Sequence, residues 1–216
     1  MQFHRVLRAA ACAVVLAGAA DADPVPAAAP AVSYEAWIAK AEAGDPGADF
    51  TALRRAYVLS DGYDPYNRSS ETPFMDAWKA FQAKDCATAL SKSDEALKID
   101  YTIMALHFVR SDCFKQAGDA ARSAREAAIG KGLMESVLAS GDGKSVKTAY
   151  VVVTMGEERM LLDYLDMPEE EQSLLGDDGH MLDAITGVNR KTGQKQTAFF
   201  NVDGPFFGLA KKFGNK

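Results

Sequence analysis

Two cysteines, Cys86 and Cys113, are the residues whose type and spacing point most directly to chemistry. The segment between them reads as two helices joined by a turn at Ile99–Asp100. Both thiols would then lie about 20 Å from that turn at 1.5 Å per residue, on the sides by which the helices face each other. We expect a disulfide in an oxidising compartment, the alternative being two buried free thiols.

A histidine among carboxylates offers a second kind of chemistry. His180 closes the turn "GDDGH" and could act in hydrolysis with Asp177 or with Glu158. The same turn could hold a cation through Asp177, Asp178 and His180, with Asp183 in support, but no second histidine stands at a zinc spacing and the calcium-loop pattern is incomplete. We therefore predict a solvated turn and no metal. The hydrolase hypothesis requires a deep pocket that brings these side chains together.

A glycine-rich stretch, "GDGKS" at residues 141–145, resembles part of a phosphate-binding loop. That motif requires a glycine five residues before Gly143, where this chain has Leu138. We predict a plain turn with Lys144 pointing into solvent. We therefore predict no cofactor. The Gly-x-Ser-x-Gly nucleophile motif is also missing from the sequence, so we favour a non-catalytic role.

The first residues predict export. Two arginines precede the apolar run Ala9–Ala20, which has the length of a signal peptide and is too short to span a bilayer. Residues 1–22 read as a signal peptide cleaved after Ala22, and residues 23–32 as a Pro/Ala-rich tether. The alternative is that the apolar run forms a buried helix of the mature fold. We expect a periplasmic or secreted bacterial protein.

The charge balance narrows the possible partners. The chain has 24 Lys and Arg against 30 Asp and Glu, a formal net charge of −6. An acidic chain is not attracted to phosphate backbones or to anionic membrane surfaces, so we exclude nucleic acid as a partner. No later run has the length of a transmembrane helix, and we expect no stable membrane insertion after the signal peptide is removed.

The elements that position these residues begin with helices over residues 33–140. The turns Lys84-Asp85 and Gly118-Asp119 lie 34 residues apart, each between two helices. This is the repeat length of tetratricopeptide hairpins, and it predicts tetratricopeptide-like helical hairpins; an ordinary helical bundle is the alternative.

The pattern changes after residue 140. Residues 141–205 read as a small β-α-β-β unit with a three-stranded sheet packed on the helical part, and residues 206–216 as a C-terminal tail. The sequence therefore predicts an α+β fold. Its expected elements are a strand, a helix and two further strands, at residues 148–155, 157–167, 180–188 and 196–202.

Three stretches resemble a known family. They are "FTALRRAYVLSDGYDPY" (residues 50–66), "GDGKSVKTAYVVVTMGEE" (residues 141–158) and the closing "DGHMLDAITGV…TAFFNV". They are similar to the bacterial family called domain of unknown function 4919. The resemblance implies a secreted or envelope protein of helical repeats capped by a small mixed sheet. It gives no indication of an activity or of catalytic residues.

These observations favour an exported module that binds a protein or peptide of the envelope, or acts as a scaffold. Stacked helical hairpins leave a concave groove of the kind that takes up partner segments. The expected contact residues are Tyr63, Tyr66, Lys144 and His180. Each tyrosine could instead pack its loop on the helices. The rival hypotheses are an envelope hydrolase and an inert accessory of an envelope complex.

Overall fold

A computed structural model describes residues 32–214, with side chains up to residue 208. The expected signal peptide, its cleavage at Ala22 and nearly all of the tether lie outside the described residues. From Val32 onward the chain forms one compact unit. Its elements are α1 (Tyr34–Ala43), α2 (Phe50–Val58), α3 (Glu71–Gln82), α4 (Cys86–Ile99), α5 (Met104–Gln116), α6 (Ala120–Leu138), β1 (Tyr150–Val151), α7 (Met155–Tyr164), β2 (Glu171–Asp177), β3 (His180–Val188), β4 (Lys195–Asn201) and α8 (Asp203–Gly214).

The helices begin where short polar side chains can satisfy their first N–H groups. Four of the first six are capped by a side-chain oxygen that accepts a hydrogen bond from the first turn, namely Ser33, Asp49, Asp85 and Asp119. None of the helices in the described part of the chain is both long and apolar enough to cross a bilayer.

The turns before α4 and α6 have the same geometry. Lys84 and Gly118 both have left-handed φ angles, of 61° and 78°. The following aspartates, Asp85 and Asp119, share a φ of −88° and have ψ angles of 80° and 81°. A turn conformation thus recurs at the 34-residue spacing noted in the sequence. The tetratricopeptide-like character of the hairpins stays a prediction.

The disulfide between Cys86 and Cys113 is present, as the spacing predicted. The Cα atoms are 5.2 Å apart, within the ordinary range for a disulfide. It joins the first residue of α4 to the last turn of α5, and Cys113 is fully buried among Ala89 and Val109. The two helices are therefore fastened at the end far from the turn that connects them.

The sheet has four strands, not the three that the sequence predicted. Their order is β1-β4-β3-β2, with β1 parallel to β4 and the other pairs antiparallel. The missed strand is β2, in which all seven residues are exposed. Because neither of its faces is buried, its sequence, Glu171–Asp177, lacks the apolar alternation by which a strand is recognised.

The sheet and the helices share one core, as the α+β prediction required. Leu133 from α6 and Leu161 from α7 pack in the same cluster as Ile185 and Phe200 from the sheet. The expected C-terminal tail is instead the helix α8, which begins directly after β4 and packs closely against the loop that follows α2. Tertiary packing therefore stabilises a segment that Gly204 and Gly208 would otherwise weaken as a helix.

Candidate functional site

A cleft of about 450 Å³ lies between β2, the first turn of α7 and the first turn of α8. Most of its surface is apolar, and two aromatic rings, those of Tyr66 and Phe206, stand partly exposed at its side. Its lining residues are Tyr66, Met155, Gln172, Leu174, Asp183, Val202, Pro205 and Phe206. An apolar hollow with few converging polar groups is the usual form of a binding site.

Asp183 supplies the carboxyl group among the residues that line the cleft. It lies on β3, opposite Leu174 of β2 and Phe200 of β4. Gln172 donates a hydrogen bond from Nε2 to Asp183 Oδ2 at 2.8 Å. Asp183 is only 5% exposed, so its carboxyl group is largely removed from water although it lines the cavity.

A second carboxyl group, that of Glu158 on α7, interacts with Asp183. Glu158 is 3% exposed, and no N–H or hydroxyl group of the described residues donates to its Oε2. Burial first, and the negative charge of Asp183 second, raise the pKa of Glu158 to about 8. Glu158 is therefore protonated at neutral pH and can donate its proton to the Asp183 carboxylate.

The outer edge of β2 borders the cleft. Asp178 and Gly179, with φ angles of 46° and 83°, form the two-residue turn to β3. The closing pair of such a hairpin is hydrogen-bonded, and hydrogen-bonded pairs alternate along the ladder. The N–H and C=O groups of Gln172, Leu174 and Gly176 therefore point away from β3, to the open edge of the sheet.

Acidic residues bracket this edge at both ends. They are Glu169, Glu170 and Glu171 before or at the start of β2, and Asp177 and Asp178 at its end. On the neighbouring strand β4, the ammonium group of Lys195 lies 3.0 Å from Glu171 and 4.0 Å from Glu170. The negative charges outnumber this cation, so the edge presents a net negative field.

A larger depression, of about 620 Å³, lies at the start of α2 and is far more open. Its charged residues are already engaged. Asp49 caps α2 by accepting hydrogen bonds from Thr51 and Ala52, and Lys131 pairs with Glu135 at 3.5 Å. Because it contains no buried titratable group, we regard the cleft beside β2 as the candidate site.

A family model described as Domain of unknown function (DUF4919) matches residues 38–206. The chain belongs to this family. The match runs from α1 into α8 and includes the whole cleft, which confirms the resemblance seen in the sequence. No curated protein and no solved structure matches the chain.

The two tyrosines that the sequence predicts as contact residues lie in different environments. Tyr63 is buried and donates a hydrogen bond from its hydroxyl to the carbonyl oxygen of Val153 at 2.6 Å. Tyr66 is 44% exposed and lines the cleft. Tyr66 is thus available to a ligand, whereas Tyr63 packs its loop against the sheet part of the molecule.

The two basic candidates lie outside the cleft lining. Lys144 is exposed in its turn and its ammonium group lies 3.7 Å from Asp142. His180 is exposed at the β2–β3 turn, where its Nδ1 lies 2.6 Å from Oδ2 of Asp203. The hydrogen bond to Asp203 and the charge of that carboxylate raise the pKa of His180.

Neither acid that the hydrolase hypothesis assigns to His180, Asp177 or Glu158, is its hydrogen-bond partner within the described residues. Glu158 interacts with Asp183, and His180 has Asp203 as its hydrogen-bonded carboxylate. Asp177 lies opposite His180 in the strand register and acts on it as a nearby charge. Within residues 32–214, no group of three or more His, Cys, Asp and Glu side chains could hold a metal ion.

The sequence contains one further signal for this site, the position of Asp183 in its strand. In "HMLDAITGV" the alternation of a strand places Asp183 on the same side as Ile185, which is fully buried. An aspartate at a core-facing position of a strand is unusual and requires a partner. The partner, Glu158, could not be identified, because nothing local to α7 connects it to β3.

Proposed function

We propose that this DUF4919 protein is an exported, non-catalytic binding module that takes up an extended segment of a partner protein as an added strand beside β2. The observation that carries the proposal is the exposure of β2 along its whole length with an open hydrogen-bonding edge. Strand addition uses such edges, with backbone hydrogen bonds supplying affinity and adjacent pockets supplying specificity.

The charges beside β2 favour a basic segment. Acidic residues stand at both ends of the strand, so a segment with lysine or arginine at its ends would be attracted. A second copy of the chain fits poorly. Symmetric antiparallel pairing of two β2 strands about Leu174 would place Glu171 opposite Asp177, and like charges directly opposite are destabilising.

The cleft supplies the pocket that this mode of binding needs. Leu174 is 53% exposed and lines the cleft, while its own N–H and C=O face the open edge. A strand laid along that edge would present alternate side chains to the cleft side of the sheet. Tyr66, which the sequence already singled out, stands at the same cleft.

Export is supported by the amino-terminal sequence and by the disulfide. The first 22 residues have the composition of a signal peptide, and a disulfide between Cys86 and Cys113 persists in oxidising compartments. Amino-terminal sequencing of the protein recovered from the periplasm of its host should begin just after Ala22. Recovery of the intact chain from the cytoplasm alone would contradict the proposal.

The binding mode can be tested with one substitution and a matched control. The N–H of Leu174 points outward, so Leu174→Pro removes an edge donor without breaking a bond to β3. Leu174→Val keeps that donor and an apolar side chain. Random peptides displayed on phage should be selected on the mature protein, and the best synthetic peptides measured against all three proteins.

We expect selected peptides to be rich in β-branched and basic residues. Their affinity should fall at least about tenfold for Leu174→Pro and change by less than about threefold for Leu174→Val. Bound peptide should also slow hydrogen exchange at the amides of Gln172, Leu174 and Gly176. Equal binding to the proline and valine variants, or selected peptides without effect on these amides, would overturn the proposal.

A further inference from the structure

Strand addition does not need the two buried carboxyl groups of Glu158 and Asp183. Glu158 also contrasts with Glu157, the acid that precedes it in the sequence. Glu157 is held by two hydrogen bonds from Arg54, each 2.7 Å long. Glu158 and Asp183, equally buried, form no ion pair with a cation of the described residues. One acid of α7 is thus neutralised within the fold by a cation, whereas its neighbour has another carboxyl group, that of Asp183, as its main charged neighbour.

A buried carboxyl pair of this kind is suited to a cation from outside. In a poorly hydrated site two carboxylates cannot both be ionised unless a positive charge joins them. The Asp183 carboxyl group lines the cleft, so an incoming cation could reach it, and Glu158 Oε2 accepts no hydrogen bond from a donor of the described residues. The rings of Tyr66 and Phe206 stand at the same cleft.

We propose that the cleft is a subsite for the guanidinium group of an arginine side chain, held by the Asp183 and Glu158 carboxyl groups and flanked by the aromatic rings. A planar guanidinium can donate to both carboxyl groups and stack on aromatic faces, which a lysine ammonium group does less well. Arg68 already lies over the Tyr66 ring at 5.5 Å, so this ring accepts a guanidinium.

Binding exchanges a proton for the guanidinium charge. Glu158 releases its proton to the solvent as the guanidinium docks, and no covalent bond is made or broken. Among the strongest charged influences on Glu158, Asp183 on β3 and Glu169 after α7 oppose ionisation, and Arg159 on α7 favours it. The effect of Arg159 is the smallest of these, so the incoming cation supplies most of the compensation.

The subsite can be tested without a peptide. The proposal rests on the proposed function only in taking the arginine to belong to the bound segment. The probe is N-acetyl-arginine methylamide, and its uncharged control is the citrulline analogue of the same shape. Binding is followed by the NMR signal of the methyl group of Met155, which lines the cleft, in protein labelled at its methionine methyl groups.

We expect the arginine probe to shift the Met155 signal with an affinity at least about tenfold higher than that of the citrulline probe. Its affinity should increase as the pH rises from about 6 to about 9, because deprotonation of Glu158 then costs less. Citrulline binding as tight as arginine binding, an unmoved Met155 signal, or an affinity that does not increase with pH would each overturn the subsite.

Two variants separate the pair from the general negative charge around it. Glu158→Gln keeps the size of the side chain and can still donate to Asp183, but it cannot ionise, so the pH dependence should disappear and the affinity at pH about 9 should fall about tenfold. Glu169→Gln removes an exposed acid nearby and should change the affinity less than about twofold. Equal losses in both variants would overturn the proposal.

The outcomes distinguish this proposal from the proposed function. If the arginine probe binds and the displayed peptides do not depend on the edge of β2, the subsite stands and strand addition fails. If the peptides depend on that edge but the arginine probe does not shift Met155, strand addition stands and the subsite fails. Circular dichroism of each variant confirms that the fold is retained before binding is compared.

Discussion

Arg54 and Glu157, which lie 103 residues apart in the chain, form a two-pronged ion pair in the interior. Their side chains are 4% and 1% exposed. The same guanidinium group donates to the hydroxyl of Ser136 at 3.2 Å and to the carbonyl oxygen of Val151 at 2.7 Å. One arginine of α2 therefore fastens α6, β1 and α7 together, which joins the helical and sheet parts of the molecule.

Breaking the Arg54–Glu157 ion pair should strongly lower the free energy of unfolding. Arg54→Met leaves the Glu157 carboxylate buried with a single remaining hydrogen bond, from the N–H of Val153. Removing one partner of a buried ion pair typically lowers the free energy of unfolding by about 3–5 kcal/mol. Urea unfolding followed by circular dichroism measures the loss.

The matched control is the double variant Arg54→Met with Glu157→Met. It removes both charges at once, so its loss of stability should be clearly smaller than the sum of the two single losses. Additive losses would show that the two side chains are stabilised separately, and that the pair does not fasten the two parts of the fold.

Asn67 connects its own loop to the end of α4 and to the start of α7. Its substitution should lower the stability of the fold for two separable reasons. Its Nδ2 donates to Asp100 at 2.9 Å and its Oδ1 accepts from the N–H of Gly156 at 3.1 Å. Its φ is 56°, in the left-handed region. Asn67→Ala should lower the free energy of unfolding by about 2–4 kcal/mol, because two hydrogen bonds are lost and alanine is strained at this φ.

Asn67→Gly serves as the comparison, since glycine adopts a left-handed φ without strain. It should be about 1 kcal/mol more stable than Asn67→Ala in thermal or urea unfolding, while it still lacks the two hydrogen bonds. If the glycine variant is as stable as the wild type, the bonds to Asp100 and Gly156 contribute nothing.

Local regularity explains which parts of the fold were predictable. Helix α6 lies within residues 33–140, where the sequence predicts helices, because an Asp cap and a helical pattern mark it in the sequence. The disulfide followed from the positions of two cysteines relative to one turn. Both features depend on residues that are close in sequence or placed by a single hairpin.

The features that escaped prediction depend on distant residues or on exposure. No periodicity marks β2, because solvent reaches all of its residues. No motif connects Arg54 to Glu157, or Glu158 to Asp183, until the fold brings α2, α7 and β3 together. The candidate site was therefore recognisable in Tyr66 and only partly in Asp183, while its second carboxyl group could be assigned only from the structure.

The disulfide should contribute measurably to stability. It closes a loop between residues separated by 27 positions, which corresponds to about 3–4 kcal/mol on the chain-entropy model. We expect the urea midpoint of the oxidised protein to fall when a thiol reductant is added. Cys86→Ala with Cys113→Ala should unfold near the reduced midpoint and show no response to reductant. A midpoint that reductant leaves unchanged would contradict this.

The carboxyl pair should make stability decrease with rising pH. Glu158 has an ordinary pKa of 4.5 in the unfolded chain and a raised pKa of about 8 in the fold. Between these values the folded state binds a proton that the unfolded state has released, so the free energy of unfolding falls as the pH rises from about 4.5 to 8. The decrease should be at most about 5 kcal/mol.

Glu158→Gln provides the test, because the amide does not titrate in this range. Its unfolding free energy should vary less with pH than that of the wild type, and the difference should develop between pH 4.5 and about 8. Parallel profiles for the two proteins would show that Glu158 titrates normally in the fold.

The sheet order has a consequence for how the chain reaches its native state. The first strand, β1, pairs with the last, β4, so Tyr150 cannot pair with Phe200 until β4 has been synthesised. A chain that emerges gradually, from a ribosome or through a translocation pore, can close the α4–α5 hairpin early but must leave the inner side of the sheet uncovered until its final strand arrives. The sheet, and with it the core shared with the helices, is therefore completed only when β4 becomes available.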